Sequence, residues 1–172
     1  MKLLFGLQYF ANIVEYKISI NKTYIELEQY ERWQKMSFRN RCIIAGGNGL
    51  LNLSVPVAGG RHSDKLIREV KIDNTRNWQI LHWRSVVSAY NRSPWFECYK
   101  DEMAAFYHTK YSWLWDWNLD LLEWTFKKLG TGVQIGFTNN WQKDYLPIVF
   151  LHKNQKPPNR WAQIRYLSFH QG

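Results

Sequence analysis

The sequence predicts an α/β fold: a single domain with a mixed sheet, an early β-hairpin and three central helices. Three observations carry this reading. Two β-branched and apolar runs, "SFRNRCIIA" and "LLNLSVPV", flank Gly46-Gly47-Asn48-Gly49, residue types that supply the positive φ angles of tight hairpin loops. Three stretches between residues 76 and 129 repeat their apolar residues at helical spacing. Short strand-like runs stand before and after them. Periodicity leaves the strand order open.

Taken in order, "LQYFANIVEY" predicts a first helix with Leu7, Phe10, Ile13 and Val14 on one face. "TYIELEQY" sets Tyr24, Ile25 and Leu27 against Glu26 and Glu28 and reads as a strand. The two arms of the hairpin follow, and Pro56 marks the end or an edge of the second. "AGGRHSDK", with Gly59, Gly60, Arg61 and His62, reads as a loop, and "LIREVKID" as a further strand. Asp73, Asn74 or Thr75 can cap a helix over "RNWQILHWRSVVSAY". Ser93-Pro94 suits the entry to a helix over "WFECYKDEMAAFYHTKY". Ser112 can cap "WLWDWNLDLLEWTFKKL", whose stripe is Leu114, Trp117, Leu121 and Leu129, with Lys127, Lys128 and Gly130 suited to its C-terminal end. "GVQIGF" and "PIVFL" read as late strands and "NQKPPNR" as an exposed loop.

The 172 residues suit one domain able to bury a core without disulfide or metal staples. Ten tryptophans exceed what such a core needs, so some indole is expected to line a cleft or contact surface. The net charge of +9 favours anionic partners: nucleic acid, nucleotide-sugars, phosphorylated lipids or an anionic membrane face. General solubility explains it as well, because the basic residues are scattered. Cys42 and Cys98 form neither a disulfide framework nor a zinc site. No signal peptide is visible, and no apolar run approaches the roughly 18 residues of a membrane span. The chain therefore reads as cytoplasmic, with free thiols.

At this point the motifs resemble a known family. "YFANIV", "SFRNRCIIAGGNGLLNLSVPV", "VKIDNTRNWQILHWRSVVSAYNRSPWFECY" and "LWDWNLDLLEWTFKKLG" follow the order and spacing of the WbqC-like protein family, from about residue 7 to about residue 145. Asp73, Trp78, His82, Trp83, Tyr90, Pro94 and Phe96 are the most specific part, and the closing "WAQIRYLSFHQG" is a weaker match. The resemblance implies bacterial O-antigen or other surface-polysaccharide biosynthesis, with glycine or acyl transfer onto an amino sugar. Family members open with a His-Gln-Pro type segment, where this chain has only Gln8 and an aromatic pair, and they continue past the position of Gly172. The resemblance thus implies one domain over residues 1–172, cut short at one or both ends.

Arg39 and Arg41 are the first candidate site residues. In a strand, alternate residues share a face at about 6–7 Å, so both guanidiniums would point one way, with Phe38 and Asn40 on the other. Such a pair could straddle a diphosphate. A solvated basic face, or pairing with Glu26 and Glu28, explains it equally. The Gly46-to-Gly49 turn leads into a strand rather than a helix, so it reads as hairpin chemistry and not as a phosphate loop. His82 shares a helix face with Trp78 and Ser85. It is either a hydrogen-bonded core group or, as the resemblance implies, the base that acyl transfer to an amine requires. Asn118, on the apolar stripe of its helix, must be satisfied by backbone or by substrate, and Tyr90 has the same two readings. Asp116 and Asp120 read as a solvated face. The five histidines have no metal-ligand spacing, and neither a P-loop nor a nucleophile elbow is present.

Three functions compete. The first is a transferase needing no cofactor, which holds an anionic small molecule such as a nucleotide-sugar. Arg39, Asn40, Arg41, Trp78, Trp83, Tyr90 and Asn118 would bind substrate, His82 would act as catalytic base, and Trp33, Trp78 and Trp83 would stack on sugar or base. The second is a basic, aromatic-rich nucleic-acid-binding module, against which stands the lack of any RRM, KH, helix-turn-helix or zinc-finger pattern. The third is an inactive scaffold relative of the family. Oligomeric state leaves no trace in the sequence.

Overall fold

The computed structural model describes residues 3–59 and 64–141. The expected loop at Gly60 to His62, the strand "PIVFL", the loop "NQKPPNR" and the closing segment lie outside the described residues. The first strand, β1 (Leu4–Phe5), is followed by helix α1 (Ile13–Ile20) and strand β2 (Tyr24–Leu27). The hairpin is β3 (Arg41–Gly46) and β4 (Gly49–Ser54). Three helices come next, α2 (Trp78–Tyr90), α3 (Phe96–His108) and α4 (Leu114–Lys128), and strand β5 (Gln134–Phe137) closes the described chain. Parallel and antiparallel pairing both occur, in separate sheets. β2 is the centre of a parallel sheet ordered β1-β2-β5, and β3 pairs with β4 alone.

The apolar run at the N-terminus makes a strand and a loop before it makes a helix. Asn12 explains the later start: its side chain accepts from the amides of Val14 and Glu15 and caps α1. Phe10 sits at φ 53 in the loop before it. The strand expected at "LIREVKID" is instead a single 3-10 turn, Ile67–Glu69, flanked by isolated bridges from Leu66 to Arg32, Val57 to Ile72 and Lys71 to Trp113. Ile67, Val70 and Ile72 are buried, so this segment staples the hairpin to α4 without a ladder of its own. The helix ends also differ. Asp73 accepts from Thr75 in a local turn, Ser112 supplies its carbonyl to Ile72, and α3 begins at Phe96.

The hairpin pairs Gly46 with Gly49, and of the loop residues only Gly49 takes a positive φ, 123°. Cys42 and Leu53, opposite each other, and Val55 just past the second arm are buried, while Ile43 faces outward and the end of the hairpin leaves both Leu50 and Leu51 exposed. On α4, Leu114, Trp117 and Leu121 are buried as the stripe requires, while Leu129 caps the helix and stays half exposed. Gly130 follows at φ 65, the left-handed conformation of a helix C′ residue. The core is aromatic: Trp117 meets Tyr9, Trp78, Tyr107 and Tyr111, all edge-on.

Cys42 lies in this core and burial pushes its thiol up to about 12, against the opposing pull of a hydrogen bond with Tyr9. Cys98, on α3, is exposed. Native protein is expected to show one fast-reacting thiol with an aromatic disulfide reagent, lost in Cys98→Ser, and a second only after unfolding. Two fast thiols in native protein would contradict the placement of Cys42.

Candidate functional site

Parallel strands bring their carboxyl ends to one edge, where open α/β sheets hold ligands. Here that edge gathers the segments after β1, β2 and β5. Glu28, fully buried, accepts from the Thr138 hydroxyl at 2.9 Å and from the Tyr30 amide at 2.8 Å. Gln29 donates to the Thr138 carbonyl at 2.7 Å. Glu31 is buried in an ion pair with Arg39. Gly6 passes against this pair, and a Cβ there would fall 3.2 Å from Glu31 Oε2.

Arg39 reaches the edge because of the turn that carries it. Three successive carbonyls are held by three different elements. The Tyr9 amide donates to Phe38 O at 3.0 Å, the Asn118 side chain to Arg39 O at 2.7 Å, and the Val55 amide to Asn40 O at 2.8 Å. The Asn40 side chain returns a bond to Val55 O at 2.8 Å. β3 begins only at Arg41, so strand alternation does not govern Arg39; the turn directs it to Glu31, a partner one turn beyond Glu26 and Glu28. Among the described residues, both arginine Nε atoms are buried without a hydrogen-bond partner, as are Asn40 Oδ1 and Asn118 Oδ1. Two donors and two acceptors are thus left over around one turn, where buried polar groups are ordinarily satisfied. Arg41 has no carboxylate partner among the described residues.

Beside the turn, Tyr30, Glu31, Arg32, Gln34, Leu66 and Trp141 line an open concavity of about 550 Å³. Arg68 lies 4.5 Å above the Tyr30 ring and fixes it. A second cavity, between β1, α1 and α4 and edged by Gln8 and Glu15, measures about 20 Å³, room for about one water. Among the described residues no group of three His, Cys, Asp or Glu is placed to hold a metal ion. No described helix is long and apolar enough to cross a membrane.

The aromatic residues and His82 form a separate group inside the core. His82 is 6% exposed, stacks on Tyr9 and meets Trp78 edge-on. Its Nδ1 lies 3.1 Å from the Tyr9 hydroxyl, which lies 2.9 Å from the Tyr107 hydroxyl. Burial pushes the imidazole down to about 4, while a hydrogen bond to the Ser54 backbone pulls the other way. With Nδ1 facing Tyr9, the nitrogen left for Ser54 is Nε2, and both are engaged. Trp78 is buried and donates to Asn74; Trp83 stacks on Phe96 and Tyr107; Tyr90, on the far end of α2, accepts from the Ala45 amide at 3.4 Å. Trp33 is buried as well. Arg39, Asn40, Arg41 and Asn118 thus meet at the turn, and His82 reaches its border through Tyr9 and the Ser54 backbone, while Trp78 and Trp83 pack in the aromatic core and Tyr90 lies against the hairpin at Ala45.

Sequence reasoning passed over Glu31, Tyr30, Gln34 and Trp141. One signal was available: an acidic residue just beyond a strand, in a basic chain, close before two arginines. Trp141 reaches the cleft only through the parallel pairing of β2 with β5, which no local pattern reports.

Burial of neutral His82 has a pH consequence. Unfolded imidazole takes a proton near 6.5, and the folded one only near 4. Between these values the unfolded chain binds more protons, so stability falls as pH falls through this window, by about 3 kcal/mol at full extent. Urea unfolding at pH 7 and pH 4.5 is expected to show this loss in the wild type and much less of it in His82→Gln, which starts from lower stability. Equal losses in both proteins would rule out His82 as the titrating group.

The pinned turn, the hairpin it feeds and the helix bearing Trp78, His82 and Trp83 are built from the segments that carry the family resemblance. The match to the WbqC-like protein family runs over residues 9–149, most of the chain. No curated protein and no solved structure matches. On that match, the chain belongs to the WbqC-like protein family.

Proposed function

We propose that this chain is a transferase of surface-polysaccharide biosynthesis that binds a nucleotide-sugar and moves a glycyl or other acyl group onto the sugar's amine. The observation that supports the reading is a pair of buried guanidinium Nε donors without a hydrogen-bond partner among the described residues, Arg39 at the carboxyl edge of the parallel sheet beside Glu31 and Arg41 two residues on, at the start of the hairpin. A diphosphate offers acceptors in the geometry a guanidinium fork matches. Glu31 already compensates the charge of Arg39, which leaves Arg41 as the principal cation for the anion. Asn40 Oδ1 and Asn118 Oδ1 are acceptors suited to substrate hydroxyls or amine hydrogens.

Attack by an amine on an activated carbonyl forms a C–N bond, expels the donor's leaving group and releases one proton from nitrogen, so a base is needed. The sequence nominates His82. Its engaged nitrogens support a positioning role instead: through Tyr9 it steadies the amide that holds Phe38, and through Ser54 it steadies the hairpin beside Asn40.

Calorimetric titration with UDP-, GDP- and dTDP-sugars tests the anion site. Arg41→Ala is expected to weaken binding at least tenfold with little change in melting temperature. Arg39 is best altered together with Glu31, as Arg39→Gln with Glu31→Gln, because removing one partner strands a buried charge at a cost of about 3–5 kcal/mol. Undiminished binding in Arg41→Ala would overturn the assignment. Tight capture of single-stranded oligonucleotides that weakens steeply with salt would favour the nucleic-acid reading instead.

A further inference from the structure

We propose that the concavity between Tyr30 and Trp141 is a binding site for a hexopyranose ring, separate from the arginine pair and adjoining it through Glu31. At about 550 Å³ it falls within the usual range for small-molecule sites. Its wall and its polar groups have different chemistries, and together they select for a sugar. Trp141, 51% exposed, and Tyr30 offer aromatic rings for the C–H face of a pyranose. Trp33 and Trp78 are buried in the core, and Trp83 is stacked on Phe96 and Tyr107, so they leave this task to the cleft.

The polar lining suits hydroxyl groups. Glu31 brings a carboxylate, an acceptor for hydroxyl hydrogens, and acidic side chains at the carboxyl ends of parallel strands serve sugar hydroxyls in this way. Gln34 brings an amide that both donates and accepts, and Arg32 brings donors at the rim, where it also pairs with Asp64. A purely apolar ligand would strand these groups. Arg68 above Tyr30 keeps that ring from collapsing into the space. Because Glu31 belongs both to the cleft and to the Arg39 ion pair, a sugar seated here would extend toward the arginine turn. That orientation rests on the transferase reading. The sugar site itself does not.

Saturation-transfer NMR with free glucosamine, N-acetylglucosamine and galactosamine, without any nucleotide, isolates the cleft. Wild-type protein is expected to transfer saturation to the pyranose ring protons of at least one of them. Trp141→Ala is expected to reduce that signal at least fivefold and Gln34→Ala at least twofold, both with unchanged melting temperatures. Arg41→Ala is expected to leave it intact. No transfer in the wild type, or undiminished transfer in both cleft variants, would overturn the inference. So would transfer to the base protons of uridine or guanosine that depends on Trp141 while the pyranoses show none. Loss of nucleotide-sugar binding in Arg41→Ala together with Trp141-independent pyranose signals would spare the anion site and remove only the sugar site.

Discussion

The structure turns on three consecutive carbonyls. Phe38, Arg39 and Asn40 each hand their oxygen to a different element: the loop after β1, helix α4 and the end of the hairpin. A turn so held cannot move without loosening the parallel sheet, the helical layer and the hairpin at once. Each bond alone contributes about 1 kcal/mol, but together they fix the direction in which Arg39 leaves the backbone. That direction sets the Glu31 pair, and Glu31 in turn forms part of the neighbouring cleft.

Two polar systems divide the interior. One is the chain of hydroxyls and imidazole through Tyr107, Tyr9 and His82 to the Ser54 backbone, in which both hydroxyls and both ring nitrogens are engaged. Burial raises both tyrosine pKa values well above their ordinary range, which keeps the chain neutral. The other is the turn at Arg39 to Arg41, where buried donors and acceptors remain unmatched. A completed network rigidifies a core; an incomplete one beside a cleft is where a ligand gains most by supplying the missing partners.

The sequence made the fold class, the hairpin and the central helices legible because each has a local signature: the glycine turn, the stripe on α4, the glycine after it. It misplaced what depends on a competing local bond or on distant pairing. Asn12 captures the helix start that the apolar run would put earlier. The 3-10 turn at Ile67–Glu69 buries strand-like residues with bridges from three directions instead of one ladder. Around the pinned turn, the nearness of Arg39, Asn40 and Arg41 follows from their adjacency in sequence, whereas the bond from Asn118 to Arg39 O spans 79 residues and the strand face expected for Arg39 does not apply, because a turn obeys no alternation. Tyr30 and Trp141 meet only once β5 lies beside β2.

That last pairing has a consequence for how the protein is made. β2 sits in the middle of its sheet, yet its neighbour on one side is separated from it by 110 residues, as in the bond from Thr138 to Glu28. At about 5–20 residues per second, a ribosome needs several seconds to deliver β5 after β2 is complete. During that interval β2 presents an open edge, bearing Tyr24, Ile25 and Leu27, to whatever strand is at hand. The hairpin and three helices made in the meantime carry their backbone hydrogen bonds within themselves, and the partners they pack against are already synthesised, so they can form first. The nascent chain is therefore most exposed to mispairing and to chaperones while its hairpin and helices are already in place, and the cleft is completed last.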